Sequence, residues 1–171
     1  MRSCFLFKVF ERNLSEMDLM INQSDLERLL APYAKAPVEY PESVDPVLRN
    51  YMRKQHRKIK KFPSFIDAWL LLLEGQIRVI YTVLCQNNIP ATVKHGSLEW
   101  SNKQEFPPSL TLHLWIDVDP YRIDYRGRNW YEFNSQHEPL IEQVPYGVFI
   151  PSDFPFVTYQ LKRVEQISPV K

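Results

Sequence analysis

Hydrophobic spacing changes period once along this chain, at Asn88–Pro90, and that change limits what the sequence can fold into. Before it, apolar residues at Ile66, Trp69, Leu70, Leu73, Ile77, Ile80, Tyr81, Leu84 and Cys85 recur at helical spacing, a stripe wide enough for a central buried helix from Ser64 to about Asn88. After it, "ATVKHGSLEW", "LTLHLWIDV", "YRIDYR", "GVFI" and "FVTYQLKRVEQI" read as strands. The chain is therefore predicted to be α+β, with N-terminal helices packed on a mainly antiparallel sheet. Its 171 residues suit one core, so a single domain is expected over 1–171, helical to about residue 88 and sheet beyond it.

Two shorter helices precede the buried one. "SDLERLLAPYA" opens on Ser24 with Glu27 at capping-box spacing, and Pro32 is expected to end that helix early. Asp45 reads as the N-cap of a second helix that has Pro46 at its first position, runs to about Lys61 and is stopped by Pro63. Gly75, in the middle of the long stripe, is expected to mark a break.

With 21 basic and 20 acidic residues, the chain has no overall field to draw it to nucleic acid or to a membrane. Basic character is local: "RNYMRKQHRKIKK" makes Arg53, Arg57, Lys58, Lys60 and Lys61 candidate phosphate contacts, against the blander reading of a solvated helix face. Two cysteines, Cys4 and Cys85, make no disulfide framework, so a reducing cytoplasm is expected. The opening "MRSCFLFKVF" is interrupted by Lys8 and has no cleavage site after it, and the run "AWLLLL" is far below the roughly 20 residues of a membrane span. His95 and His137 lack metal-ligand spacing, so no metal or cofactor is expected.

Alternation along "LTLHLWIDV" puts Leu110, Leu112, Leu114, Ile116 and Val118 on one face and Thr111, His113, Trp115 and Asp117 on the other. Pro120 at the first central position of a type I turn would pair Asp117 with Asp124. A turn one residue earlier would pair Trp115 with Asp124. Both put His113 and Asp124 on one face, and the earlier turn makes them diagonal neighbours. The alternative for Asp124 is an ion pair with its flanking arginines, and for His113 a hydrogen-bonded surface position.

The succession "EGQIRVIYTVLCQNNIPATVKHG", "HLW" and "RID" resembles the transglutaminase-like branch of the papain-like fold, over roughly Gly75 to Arg126. The resemblance implies a papain-like core in which His113 and Asp124 are the base and its orienter. It also implies a helix that starts with a Gly-x-Cys motif, where this chain has Gly75, Gln76 and Ile77. An isoleucine cannot attack a carbonyl. The leading expectation is thus a non-catalytic module whose former cleft, with Gln76, Trp115, Arg126 and Trp130 as contact residues, holds a peptide or protein. One alternative is a cysteine-dependent amide hydrolase or acyltransferase using Cys85 or Cys4 with His113 and Asp124. Cys85 lies about 12 Å along the helix from Ile77 and reads as an inert buried thiol. The other alternative is a nucleic-acid-associated protein using the basic helix.

Overall fold

The computed structural model describes residues 21–34, 40–59, 61, 64–101, 110–128 and 143–171. Three helices, α1 (Gln23–Ala34), α2 (Pro46–Ile59) and α3 (Phe65–Gln86), precede five strands, β1 (Thr92–Trp100), β2 (Leu110–Val118), β3 (Tyr121–Asp124), β4 (Gly147–Phe149) and β5 (Val157–Val164). The sheet is antiparallel throughout, in the order β4-β3-β2-β1-β5, and the helices pack on it, so the chain is α+β.

Local chemistry sets the helix ends. α1 begins one residue before the expected Ser24, because Asn22 is its cap: Asn22 Oδ1 accepts the Asp25 backbone N–H at 2.9 Å. Pro32 does not end it early, and the helix runs on to Ala34. Asp45 caps α2 as expected, accepting from the Val47 N–H at 2.8 Å, with Pro46 in the first helical position. α2 ends at Ile59, two residues before the expected Lys61.

Helix α3 is unbroken through Gly75, contrary to the break that glycine suggested. A Cβ there would lie 3.4 Å from Gln55 Cγ and 3.5 Å from Met52 Sδ, so Gly75 marks where α3 lies close against α2. The helix stops at Asn88, which takes a φ of 56° while Ile89 N–H reaches back to Leu84 O and Asn88 N–H to Cys85 O. This is the Schellman stop, with asparagine in the left-handed position usually given to glycine.

The sheet has two unlike faces. One carries Val93, Ile116, Val118, Ile123 and Val148, which join Leu73, Ile77, Ile80 and Leu84 of α3 and Leu26, Leu30, Leu48 and Met52 of the other helices in the main core. The opposite face has a smaller core of Leu98, Trp100, Leu110 and Val144, with Val157 and Tyr159 packed against it. Irregular pairing between Gly96 and Leu98 explains why the leucines of β2 do not share one face: Leu110 joins the small core and Leu112 is 46% exposed.

Candidate functional site

Strand pairing places the two residues that the sequence singled out. The β2–β3 turn takes the earlier of the two readings: Val118 pairs with Tyr121, Asp117 with Arg122 and Ile116 with Ile123, around a cis Asp119–Pro120 peptide rather than a type I turn. His113 and Asp124 then lie diagonally on one face, and His113 Nε2 meets Asp124 Oδ2 at 2.6 Å. The surface reading of this histidine is wrong: His113 is 0% and Asp124 1% exposed.

Asp124 is saturated with donors. Besides His113, Oδ2 accepts the Tyr159 hydroxyl at 2.8 Å, and Oδ1 accepts the backbone N–H groups of Arg126 and Gly127 at 2.8 and 2.9 Å. Burial pushes this carboxyl up, but the His113 charge, its hydrogen bond and the two backbone donors outweigh burial and hold the carboxyl below the usual carboxylate range. With the carboxylate ionised, Nε2 must carry the proton it shares with Oδ2. The alternative reading, an ion pair with the flanking arginines, is not seen at Asp124, which Arg126 reaches through its backbone N–H. Arg122 instead grips Asp117 with Nε at 2.8 Å and a terminal nitrogen at 3.1 Å, and Lys94 Nζ joins at 2.7 Å.

Aromatic rings bind the two carboxylate centres into one block. Trp115 stacks on His113 at 6.3 Å and meets Tyr159 edge-on at 5.1 Å. The Arg122 guanidinium lies 5.4 Å from the Trp115 ring and 4.5 Å from the Tyr159 ring, so it fills the aromatic surface itself. Sequence reading missed Tyr159, because β5 joins the sheet beside β1, some sixty residues away in the chain. The alternation of Val157 and Tyr159 was the available signal, and it did not say which strand β5 would join.

The other sequence-predicted residues go elsewhere. Ile77 lies mid-helix in the main core, across the sheet from His113, so the two do not share a cleft. Gln76 is buried and structural rather than a contact for partners. Its Nε2 donates to Tyr33 O at 2.9 Å and Ala34 O at 3.0 Å, satisfying the last carbonyls of α1. Gln76→Leu is expected to cost about 1–3 kcal/mol through those orphaned carbonyls, seen as a lower denaturant midpoint with an unchanged slope. Arg126 is also buried, beside Tyr40, and burial pulls its guanidinium down to about 10. Trp115 is buried too and is not available as a contact surface.

Cys85 is less enclosed than the expected buried thiol. It is half-buried in the last turn of α3 and, with Tyr81, lines a cleft of about 1380 Å³ between the start of α1, the end of α3 and the β2–β3 turn. His113 does not line that cleft, so Cys85 is not its nucleophile. Arg53, Arg57, Lys58 and Lys61 are exposed on or just after α2. Cys4, Lys60 and Trp130 lie outside the described residues. No three His, Cys, Asp or Glu side chains among the described residues form a group that could hold a metal ion, and none of the described helices is long and apolar enough to cross a membrane.

No family model, curated protein or solved structure matches the chain.

Proposed function

We propose that this chain is a non-catalytic module that binds a peptide or protein segment, with His113, Asp124 and Tyr159 as the internal brace of its sheet. The observation that carries this reading is the sealing of the pair: His113 and Asp124 have essentially no exposed surface, and donors fill the Asp124 oxygens on every side. A general base must reach a substrate proton. The contact between His113 and Asp124 accords with the transglutaminase-like resemblance, whereas the burial of Ile77 on the far side of the sheet departs from it.

The cleft beside Cys85 is the surface suited to a partner. Leu29, Tyr81 and Ile89 give it apolar walls; of its rim carboxylates Asp25 is paired with Arg28 and Asp117 with Arg122 and Lys94, which leaves the exposed Asp119 as the carboxylate with no ion pair among the described residues. An apolar side chain flanked by a cation complements that lining. Cys85 reports on occupancy, because alkylation at this site can be followed by mass spectrometry. Basic–apolar peptides are expected to slow Cys85 alkylation and acidic–apolar peptides to leave it unchanged. Equal behaviour of the two sets would remove the cleft from this role.

One observation favours a second reading. His113 Nδ1 is buried without a hydrogen-bond partner among the described residues while Nε2 is anchored to Asp124, which is how an imidazole is oriented to activate a thiol. Cys4 would be the sulfur. Under the binding-module reading, Cys4 in native protein is alkylated no faster than in denatured protein, and His113→Ala does not change that rate. Faster native labelling of Cys4, lost in His113→Ala, would support the hydrolase or acyltransferase instead.

A further inference from the structure

Charge is segregated along this chain far more than its net value suggests. Residues 49–61 carry seven cations and no acid, so the other residues hold fourteen cations against twenty acids, a balance of −6 in a protein whose total is +1. Folding turns that segment into one surface. α2 buries Leu48, Met52 and Gln55 against the rest of the protein, and the opposite side presents Arg53, Lys54, Arg57 and Lys58 to solvent, with Lys61 exposed in the turn that follows. Lys54, Arg57, Lys58 and Lys61 form no ion pair among the described residues. A cation or two near a helix C-terminus complements the helix dipole. A run of this length exceeds that need.

We infer that the exposed face of α2 is a docking surface for the phosphate backbone of double-stranded nucleic acid, held without regard to base sequence. The occupant follows from what the face has and lacks. It offers cations over about 12 Å of helix and turn, a length along which a duplex presents several phosphates. Its exposed side chains between Asn50 and Lys58 are Asn50 and four cations, and its two rings, Tyr51 and His56, are half-buried, Tyr51 against the core, so it presents no open platform on which the bases of a single strand could stack. Leu48 and Met52 of α2 are spent on the core, and the exposed Val47 in its first turn is a single short side chain, so the face has no apolar stripe to insert below lipid headgroups. The surface is separate from the His113 block and from the cleft at Cys85, so this inference does not rest on the proposed function.

The test uses the full chain with mixed-sequence 20-base-pair duplexes of DNA and of RNA, titrated by fluorescence anisotropy at salt concentrations from 50 to 200 mM. Four neutralised phosphates predict a slope of about −3.6 in log K against log salt, a weakening of about 150-fold across that range. Each of Lys54→Gln, Arg57→Gln, Lys58→Gln and Lys61→Gln is expected to make the slope shallower by about one, and the quadruple variant to lose binding while keeping the far-UV circular dichroism of the parent. Arg28→Gln, an exposed cation on α1, should change nothing. Binding of either duplex with these losses supports the surface. Absence of binding to both at 50 mM salt overturns it, as does a slope untouched by the single substitutions. Retention on phosphatidylserine vesicles with no affinity for either duplex would also overturn it, in favour of a lipid surface.

Discussion

Asp124→Ala is expected to destabilise the protein by about 3–5 kcal/mol, the range for removing one partner of a buried charged pair. The size follows from what is left behind. His113 loses the acceptor of its Nε2 proton, the Tyr159 hydroxyl loses its partner, and the N–H groups of Arg126 and Gly127 lose theirs, all in or beside a site with no water access at the imidazole. At roughly 2–4 °C per kcal/mol for a domain of this length, thermal unfolding should move down by about 6–20 °C. Asp124→Asn keeps one oxygen and should fall between the two. The pH dependence gives a sharper check. Because the folded carboxyl sits below its unfolded value of about 3.9, its contribution is fully present above that pH and is lost as pH falls through the lower folded value. The stability gap between wild type and Asp124→Asn should therefore narrow as pH falls below about 4. A gap that widens in acid would mean that the carboxyl is not ionised in the folded protein.

How much of this was legible in the sequence depends on how far apart the cooperating residues lie. The helices and strands were readable, because period and capping are local: the Asp45–Pro46 start of α2 and the alternation in β2 both belong to a few consecutive residues. The shared face of His113 and Asp124 was readable for the same reason, since a short turn leaves few registers open. Burial of that face was not readable. A strand showing Thr111, His113 and Asp117 on one side looks half-solvated, and distant partners, among them Tyr159 from β5 and Trp115 folded over Gly96, make it an interior. The role of Gln76 depended on where α1 ends, forty residues upstream, which no local pattern around Gln76 reports. The Gly-x-Cys comparison assumed a helix starting near Gly75, whereas α3 starts at Phe65 and places Ile77 well inside it.

Two glycines that look alike in sequence should respond oppositely to alanine, and the larger response belongs to Gly96. It pairs with His113 of β2 on one side and Leu161 of β5 on the other, and the register shifts on both sides of it. A Cβ at Gly96 would come within 1.9 Å of the Gln160 carbonyl oxygen and 2.9 Å of Trp115 Cη2. The first obstacle is backbone and cannot swing away as a side chain can, so β5 must separate from β1 or the sheet must buckle. Gly96→Ala is expected to cost about 3 kcal/mol or more, at or beyond the upper end of ordinary overpacking. Because Tyr159 rides on β5, the same substitution should loosen the donor set at Asp124, with amide exchange in β5 rising more than in α1. At Gly75 the nearest atoms, Gln55 Cγ and Met52 Sδ, belong to flexible side chains at contact distance. Alanine there gains about 1 kcal/mol of helix propensity, so Gly75→Ala is expected to be neutral or mildly stabilising. If Gly96→Ala were as harmless as Gly75→Ala, β1 and β5 could not approach so closely at that point, and Tyr159 would not be held over His113 and Asp124.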